Sequence, residues 1–349
     1  MQAHRKNEEP AAARSAAEAL AAQALAPATL AARTPAAAAV PADLWARALG
    51  DPVLEMLARP GKELRARLTA LAYRLAGGTG EPPPALGAIL EIVHAGSMVV
   101  DDIEDGSSER RGRPTLHRLH GLPLALNAGN WMYFYPFELV DRLALPPAAE
   151  LALRRRMTAV MLDCHQGQAL DLAARVGEVP RRRMGAVALA ISTLKTGRLV
   201  SLAAAAGALV AGADALTTGA LATFGEEMGV ALQMLDDLGN LSPAAAPEKR
   251  FEDLRHGRIT WPLAWAAALL EPRAFARLED AVRAAGSAPD PAPVAAELRA
   301  TVEAQGRAQA HWALDRALAR LRAALPSSRA APLLSLCAAE LARLERSYG

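Results

Sequence analysis

Helical periodicity runs from Asp43 onward, with no sustained stretch of period-two alternation anywhere in the chain. Leu44, Leu54, Leu57, Leu64, Leu68 and Leu71 recur at spacings of three, four, seven and ten, as the apolar stripe of an amphipathic helix does. Composition points the same way. Hydrophobic residues make up 52% of the chain but aromatics only 4%, so the apolar bulk is mostly alanine and leucine. These are the strongest helix formers, whereas an all-β domain needs many β-branched and aromatic positions. Breaks fall at Gly77–Gly80 with Pro82–Pro84, at Pro146-Pro147, at Gly177–Pro180, at Ser242–Pro247 and at Gly286–Pro293. No linker divides the chain between them, which predicts an all-α, single-domain bundle over residues 41–349. Residues 1–40, low in complexity with prolines at 10, 27 and 35, are expected to be a disordered tail outside the fold.

The charge balance excludes some partners. A formal net charge of +2 gives no strong field for nucleic acid. Cys164 and Cys337 are too few for a disulfide framework or a four-cysteine zinc site, and two thiols fit a reducing compartment. No membrane span is expected, because the run Leu199–Ala213 falls short of the roughly 18 apolar residues a crossing needs. The first forty residues lack the compact apolar core of a signal peptide, and Glu8, Glu9 and Glu18 weaken a transit-peptide reading. A cytoplasmic protein is the expectation.

One local pattern recurs: an acidic pair ending an apolar helical run. Val99-Val100 leads into Asp101-Asp102, and Met234-Leu235 leads into Asp236-Asp237. Asp101 and Asp105 stand at i and i+4 on one helix face, with Asp102 a step around. Like charges so spaced repel, and a divalent cation is one way to offset them. Magnesium takes one or two carboxylates, keeps several waters and completes its octahedron with phosphate oxygens. One such cluster alone reads more readily as a solvated acidic face than as a metal site. The second, Asp236 and Asp237 with Asn240 at i+4, argues against that reading, because bundles often build cofactor sites from facing helices.

Cations follow each cluster. Lys62 and Arg65 sit at i and i+3 at the start of an amphipathic helix, and Arg110, Arg111 and Arg113 form a turn just after the first acidic site. Lys195 lies in the apolar segment Ile191–Leu202, where a lone ammonium is costly unless it faces a cavity or a partner. Each alone reads as a surface cation; together with magnesium-type carboxylates they describe a pocket for diphosphate groups. No Walker A loop, GxGxxG or GxSxG motif supports a nucleotide or serine-hydrolase reading. His117 and His120 form an HxxH without a supporting carboxylate, so no metal is expected there.

These motifs resemble the trans-isoprenyl diphosphate synthases, or polyprenyl synthetases, and most of all the type III geranylgeranyl diphosphate synthases. The resemblance runs from about Leu57 to Leu270. It covers Pro60-Gly61-Lys62 with Arg65, Glu91-x-x-His94-x-x-Ser97 leading into Asp101-Asp102-Ile103-Glu104-Asp105, and Arg110-Arg111-Gly112-x-Pro114. It continues through Asn127-Ala128-x-Asn130, Gly167-Gln168-x-x-Asp171 and Lys195-Thr196. It ends with Gln233-x-x-Asp236-Asp237 and Phe251-Glu252-Asp253-Leu254 with Gly257-Arg258.

The resemblance implies an all-α bundle of about 10–13 helices around a central elongated cavity. It further implies that Asp101, Asp102, Asp105 and Asp236 hold three magnesium ions on an allylic prenyl diphosphate, with Asp237 and Asn240 completing the second site. Arg110, Lys195, Lys249 and Arg258 would neutralise that diphosphate as it leaves. Lys62, Arg65, His94 and Arg111 would hold isopentenyl diphosphate. Thr196 and Gln233 would lie beside the allylic cation, with Gln168 and Asp171 lining the same cavity. The sequence departs from the widespread pattern twice, with Asn240 at the last position of the second motif and Arg258 where lysine is usual. A homodimer is the family's usual assembly.

Chain length would be set beneath the first acidic site. Gly96 and Ser97 are small there, so a growing tail could pass, and a C20 product is expected. Trp131, with Tyr133, Phe134 and Tyr135, would either floor that pocket or pack as ordinary core. The competing functions are a class I terpene cyclase and a non-catalytic subunit of a heteromeric synthase. The cyclase's second motif fails at Asn240 and Ala244, and a subunit could dispense with an acidic site that is present here.

Overall fold

The computed structural model describes residues 9–245, 250–286, 290–325 and 327–346. It is all-α, as expected, apart from one two-stranded hairpin. Eighteen α-helical segments occur among the described residues, twelve of them eight residues or longer. They pack as two compact units where the sequence suggested one domain. One unit comprises Met1–Arg154 with Leu209–Gly212, the other Arg155–Ala208 with Ala213–Gly349. A chain of this length is near the size at which single cores divide. The boundary falls inside a helix rather than a linker, which is why composition gives no sign of it.

The first unit begins with α1 (Glu9–Leu25), followed by the short helices α2 (Pro27–Ala31), α3 (Pro35–Ala38), α4 (Ala42–Trp45) and α5 (Asp51–Leu57). Then come α6 (Leu64–Leu75), α7 (Pro84–Glu104), the hairpin β1 (Glu109–Arg110) and β2 (Arg113–Pro114), α8 (Leu116–Leu119) and α9 (Leu122–Leu139). The expected tail is therefore corrected from Glu9 onward; residues 1–8 lie outside the described part. The alanines that made this stretch look like low complexity are helix formers, and Ala17 and Ala21 are fully buried. Tyr135 of α9 donates a hydrogen bond from its hydroxyl to the carbonyl of Leu20 at 2.7 Å.

Helix α7 is the axis of this unit. Pro84 opens it at a position where its missing N–H costs nothing, and Leu86, Ile89, Leu90, Ile92, Val93 and Val99 form its buried side. It meets Ala125, Ala128 and Met132 of α9 at very close range. A Cβ placed on Gly96 would lie 2.9 Å from both the carbonyl oxygen of Gly129 and Cβ of Met132. Gly96 is thus the contact that lets two helices approach, and the role of pocket-lining residue expected for it is not what its surroundings fit. Trp131 stacks on Tyr135 at 4.4 Å between ring centroids, whereas Phe134 points outward and is 71% exposed. The aromatic cluster is divided between core and surface.

Helix α10 (Pro147–Ala173) leads into the second unit. There follow α11 (Met184–Ile191), a π-type turn over Ser192–Gly197, α12 (Arg198–Val210) and α13 (Ala215–Asn240), which Asp214 caps by accepting from the N–H of Thr217 at 2.7 Å. The unit is completed by α14 (Glu252–His256), α15 (Trp261–Leu269), α16 (Pro272–Ala285), α17 (Ala292–Ala324) and α18 (Ser327–Arg346). Its core gathers Met234, Leu235, Trp261, Trp265, Phe275, Leu278, Leu298 and Val302. One helical run, Arg181–Val210, is long and apolar enough to cross a membrane by length and composition alone. Leu199–Ala208 within it are all buried, as in a core helix.

Candidate active site

In the first unit the site is assembled around the C-terminal end of α7. Asp101 and Asp105 are half-buried, while Asp102 is only 2% exposed. Asp102 accepts from Nε of Arg110 at 2.7 Å and is also paired with its Nη2, whereas Asp101 stands 3.6 Å from that guanidinium. Burial pushes the Asp102 carboxyl up to about 6 against the pull of Arg110. Asp102, expected among the metal ligands, anchors the guanidinium of Arg110 in this structure. The pair is split by depth: one carboxylate is presented and its neighbour is internal.

The hairpin explains how three arginines in five residues are dealt in different directions. Arg110 pairs with Arg113 across it, so Arg111 and Gly112 form a two-residue turn with φ of 57° and 72°. Such a turn normally takes Asn-Gly, and an arginine at its first position is a strained choice. The turn is braced from below by Arg59, 1% exposed, which donates to the carbonyl of Pro114 at 2.6 Å and pairs with Glu55 at 3.4 Å. Sequence reasoning gave Arg59 no role. Arg111 turns back so that a Cβ on Gly61 would lie 3.0 Å from its Nη1, which brings it beside the loop carrying exposed Lys62. Burial and the neighbouring Arg110 lower its pKa.

Glu91, one turn before His94, is the second residue that sequence reasoning left without a role. It accepts from the N–H of Ala66 at 3.2 Å, and its charge acts on Arg65 and Arg111. Burial raises its pKa in spite of them. Lys62, Arg65, His94 and Arg111, expected together, thus belong to one neighbourhood of α6, α7 and the hairpin turn, with Glu91 beneath it. Ser97 is half-buried one turn before Asp101 and donates to the carbonyl of His94 at 2.9 Å.

In the second unit the same division recurs. Asp236 and Asn240 are half-buried, one turn apart at the end of α13. Asp237 is internal: it accepts from Nε2 of Gln233 at 2.8 Å and from the N–H of Trp261 at 3.0 Å. Thr196 in turn donates to Oε1 of Gln233 at 2.7 Å, and Nε1 of Trp261 donates to Ser192 at 2.8 Å. A continuous chain of hydrogen bonds therefore links the π-type turn to the second acidic pair. Burial, then the nearby charge of Asp253, lifts the Asp237 carboxyl well above the usual range.

Lys195 and Thr196 lie in the π-type turn, a distortion often found at functional sites. Nζ of Lys195 donates to Asp171 at 2.9 Å, and Nη1 of Arg258 stands 3.5 Å from the same Oδ2. Asp171 and Arg258 are 7% and 6% exposed, so Asp171 is the strut between two cations rather than a free wall of the cavity. Asp253, pushed up to about 7 by burial, is opposed by the charge of Arg258. Gly167 of α10 admits this arrangement, since a Cβ there would lie 2.6 Å from the backbone nitrogen of Lys195. Gln168 is half-buried beside it, and Lys249 lies outside the described residues.

Among the described residues no three His, Cys, Asp or Glu side chains are gathered into a ready metal cage. The donors nevertheless suit a hard cation that keeps most of its shell as water and phosphate. Each acidic helix end offers oxygen-bearing side chains one turn apart. Oδ1 of Asn240 is buried with no hydrogen-bond partner among the described residues.

The description "polyprenyl synthetase" belongs to the family model that matches residues 46–297. The geranylgeranyl diphosphate synthase of Sulfolobus acidocaldarius is 32% identical over 209 residues, covering 57% of this chain and 61% of its own length. Geranylgeranyl pyrophosphate synthase janG of Penicillium janthinellum is 29% identical over 214 residues, 61% of this chain and 56% of its own. The chain thus spans less than two thirds of these curated relatives. Among solved structures, the polyprenyl synthase of Caulobacter crescentus, complexed with calcium and isoprenyl diphosphate, is similar with a TM-score of 0.70 and 27% identity. That likeness covers 85% of this chain and 88% of the other.

Proposed function

Because the chain belongs to the polyprenyl synthetase family, we propose that it condenses an allylic prenyl diphosphate with isopentenyl diphosphate, giving geranylgeranyl diphosphate. The observation that carries this reading is the division of both acidic pairs. In each, the first aspartate is presented and the second is an internal strut that fixes a cation or a hydrogen-bond chain. Asp101 and Asp105 in the first unit, and Asp236 and Asn240 in the second, are the residues that would hold magnesium. We give Asp102 and Asp237 positioning roles. Three ions per site is the number the family resemblance implies. Bound magnesium supplies electrostatic stabilisation of the departing diphosphate.

The chain's own groups account for the remainder. The allylic C–O bond breaks, and Lys195 and Arg258, held by Asp171, offer positive charge to the leaving group. Arg110, fixed on Asp102, does the same from the hairpin. Lys62, Arg65, His94 and Arg111 bind the diphosphate of isopentenyl diphosphate, whose double bond attacks the allylic carbon. A proton then leaves to the released diphosphate, so no side-chain base is required. Thr196 and Gln233 present a hydrogen-bonded oxygen pair of the kind that tolerates a nearby cation.

Incubation with magnesium, isopentenyl diphosphate and allylic primers tests the proposal. Longer prenyl diphosphates are the expected products; a cyclic hydrocarbon would make the chain a cyclase, and turnover only with an added partner would make it a subunit. For product length, the lever is Ser97. Ser97→Phe should shorten the main product from C20 to C15, read by chromatography of the dephosphorylated alcohols. Gly96→Phe, by contrast, should give little folded protein, because its side chain would meet the backbone of α9.

A homodimer is proposed on the exposed apolar face of α9, where Leu122, Leu126 and Phe134 are 53%, 39% and 71% exposed. Phe134→Asp should then convert a dimer to a monomer by light scattering. The cytoplasm is the proposed compartment, on the two free thiols Cys164 and Cys337.

A further inference from the structure

The N-terminal helix reaches the substrate apparatus of the first unit. Ala17 and Ala21 seat α1 in the interior, and α1 packs along α7. Gly87 of α7 makes the junction tight: a Cβ there would lie 3.2 Å from that of Ala13 and 3.4 Å from that of Ala66 on α6. Three helices therefore meet at one small residue. The residue after Ala13 is Arg14, and the junction delivers its guanidinium to the loop that carries Lys62.

Nη1 of Arg14 stands 3.6 Å from Oε1 of Glu63, and its Nε pairs with Glu18 one turn along the helix. Glu63 is the residue between Lys62 and the first turn of α6. It is 5% exposed and adopts φ of 47°, the left-handed region that a side-chain-bearing residue enters only under strain. A carboxylate both buried and strained persists only where its surroundings hold it there, and a buried carboxylate needs a cation. Arg14 supplies that cation from a helix remote in sequence.

The neighbouring charges make the supply matter. Glu91 of α7 approaches the same place, and its charge adds to burial in raising the pKa of Glu63. Arg14 acts on both, while Arg65 and Arg111 act on Glu91. Glu63 is balanced by Arg14 and by Arg67, whereas Glu91 draws on Arg14 together with two arginines assigned to the substrate. Without Arg14, Glu63 leans on Arg67 and on the backbone turn Pro60–Glu63, and Glu91 leans harder on Arg65 and Arg111.

We propose that Arg14 is a positioning residue for the isopentenyl diphosphate subsite: it neutralises Glu63, fixes the turn bearing Lys62 and leaves Arg65 to the substrate. This rests on the prenyl-transfer reading above. The test compares Arg14→Ala, Arg14→Lys, Glu63→Gln and the Arg14→Ala/Glu63→Gln double variant, with each substrate varied separately and melting temperature recorded. Arg14→Ala should raise KM for isopentenyl diphosphate roughly tenfold, with kcat and the allylic KM within about twofold. Arg14→Lys should restore most of the loss, and the double variant should be no worse than Arg14→Ala, since both remove one interaction.

An unchanged KM for isopentenyl diphosphate in Arg14→Ala overturns the proposal. So does a fall in melting temperature with both KM values rising together and no rescue by lysine, which is the signature of a purely structural helix. If the wild-type chain forms no prenyl product, the transfer reading itself fails. Calorimetric titration of isopentenyl diphosphate then still decides for Arg14: about tenfold weaker binding to Arg14→Ala supports the assignment, and equal binding overturns it.

Discussion

Asp101→Ala should lower kcat about a thousandfold while leaving the melting temperature within a few degrees of wild type. Asp101 is the presented member of its pair, half-buried at the end of α7, and it stands 3.6 Å from Arg110 rather than in close hydrogen bond with it. Its removal relieves repulsion at the helix end and, on the proposed transfer reaction, takes away an oxygen donor that matters only when diphosphate and magnesium are bound. The companion variant Asp102→Ala should behave differently. Asp102 is internal and holds Arg110, so alanine there takes from a half-buried guanidinium its closest carboxylate. Loss of one partner of a buried pair costs about 3–5 kcal/mol. Thermal melts beside steady-state assays separate the two: activity alone should fall in the first, stability and activity together in the second. Equal loss of stability in both would remove the distinction between presented and internal carboxylates.

Gly167→Val is expected to be the most damaging change at a residue that itself carries no charge. The new Cβ would lie 2.6 Å from the backbone nitrogen of Lys195 and 2.8 Å from Cβ of Leu194. Backbone on both sides leaves no flexible side chain to move aside, so α10 and the π-type turn must part. Overpacking of this kind costs about 1–3 kcal/mol or more, and the Lys195–Asp171 hydrogen bond is the first contact to be lost. A hundredfold or greater drop in kcat should accompany a lower melting temperature. Gly185→Ala is the control. It is an exposed position near the start of α11 with no atom within 4 Å of the new Cβ, and it should stabilise by about 0.5–1 kcal/mol without affecting turnover.

The class of fold was legible because alanine and leucine have few other uses in such numbers, and the breaks between helices coincide with glycine and proline. The N-terminal helix was not. An alanine-rich stretch with prolines at 10, 27 and 35 reads as tail by composition. Its readable signals were Arg14 and Glu18 at i and i+4, with Ala17 and Ala21 one turn apart on what became the buried side.

The residues of the site were legible as motifs, but their division of labour was not. Nothing in the sequence separates Asp101 from Asp102, because the two differ in depth and not in type. Arg59 and Glu63 were invisible for a related reason. Their importance comes from burial beneath the hairpin and the Lys62 loop, which only packing creates. For Gly96, smallness serves two ends, room for a ligand and room for a neighbouring helix, and the sequence does not say which.

The π-type turn over Ser192–Gly197 has a consequence for any positional scan of this region. A helix that accommodates one surplus residue restarts its angular phase, and each residue of an α-helix turns through about 100°. A single helical wheel drawn from Met184 to Val210 would therefore assign every side chain beyond the turn to the wrong bearing. Deleting one residue inside the turn would bring the two halves into register and swing Lys195 off Asp171. The lysine's aim is thus encoded by a count of residues rather than by any one of them.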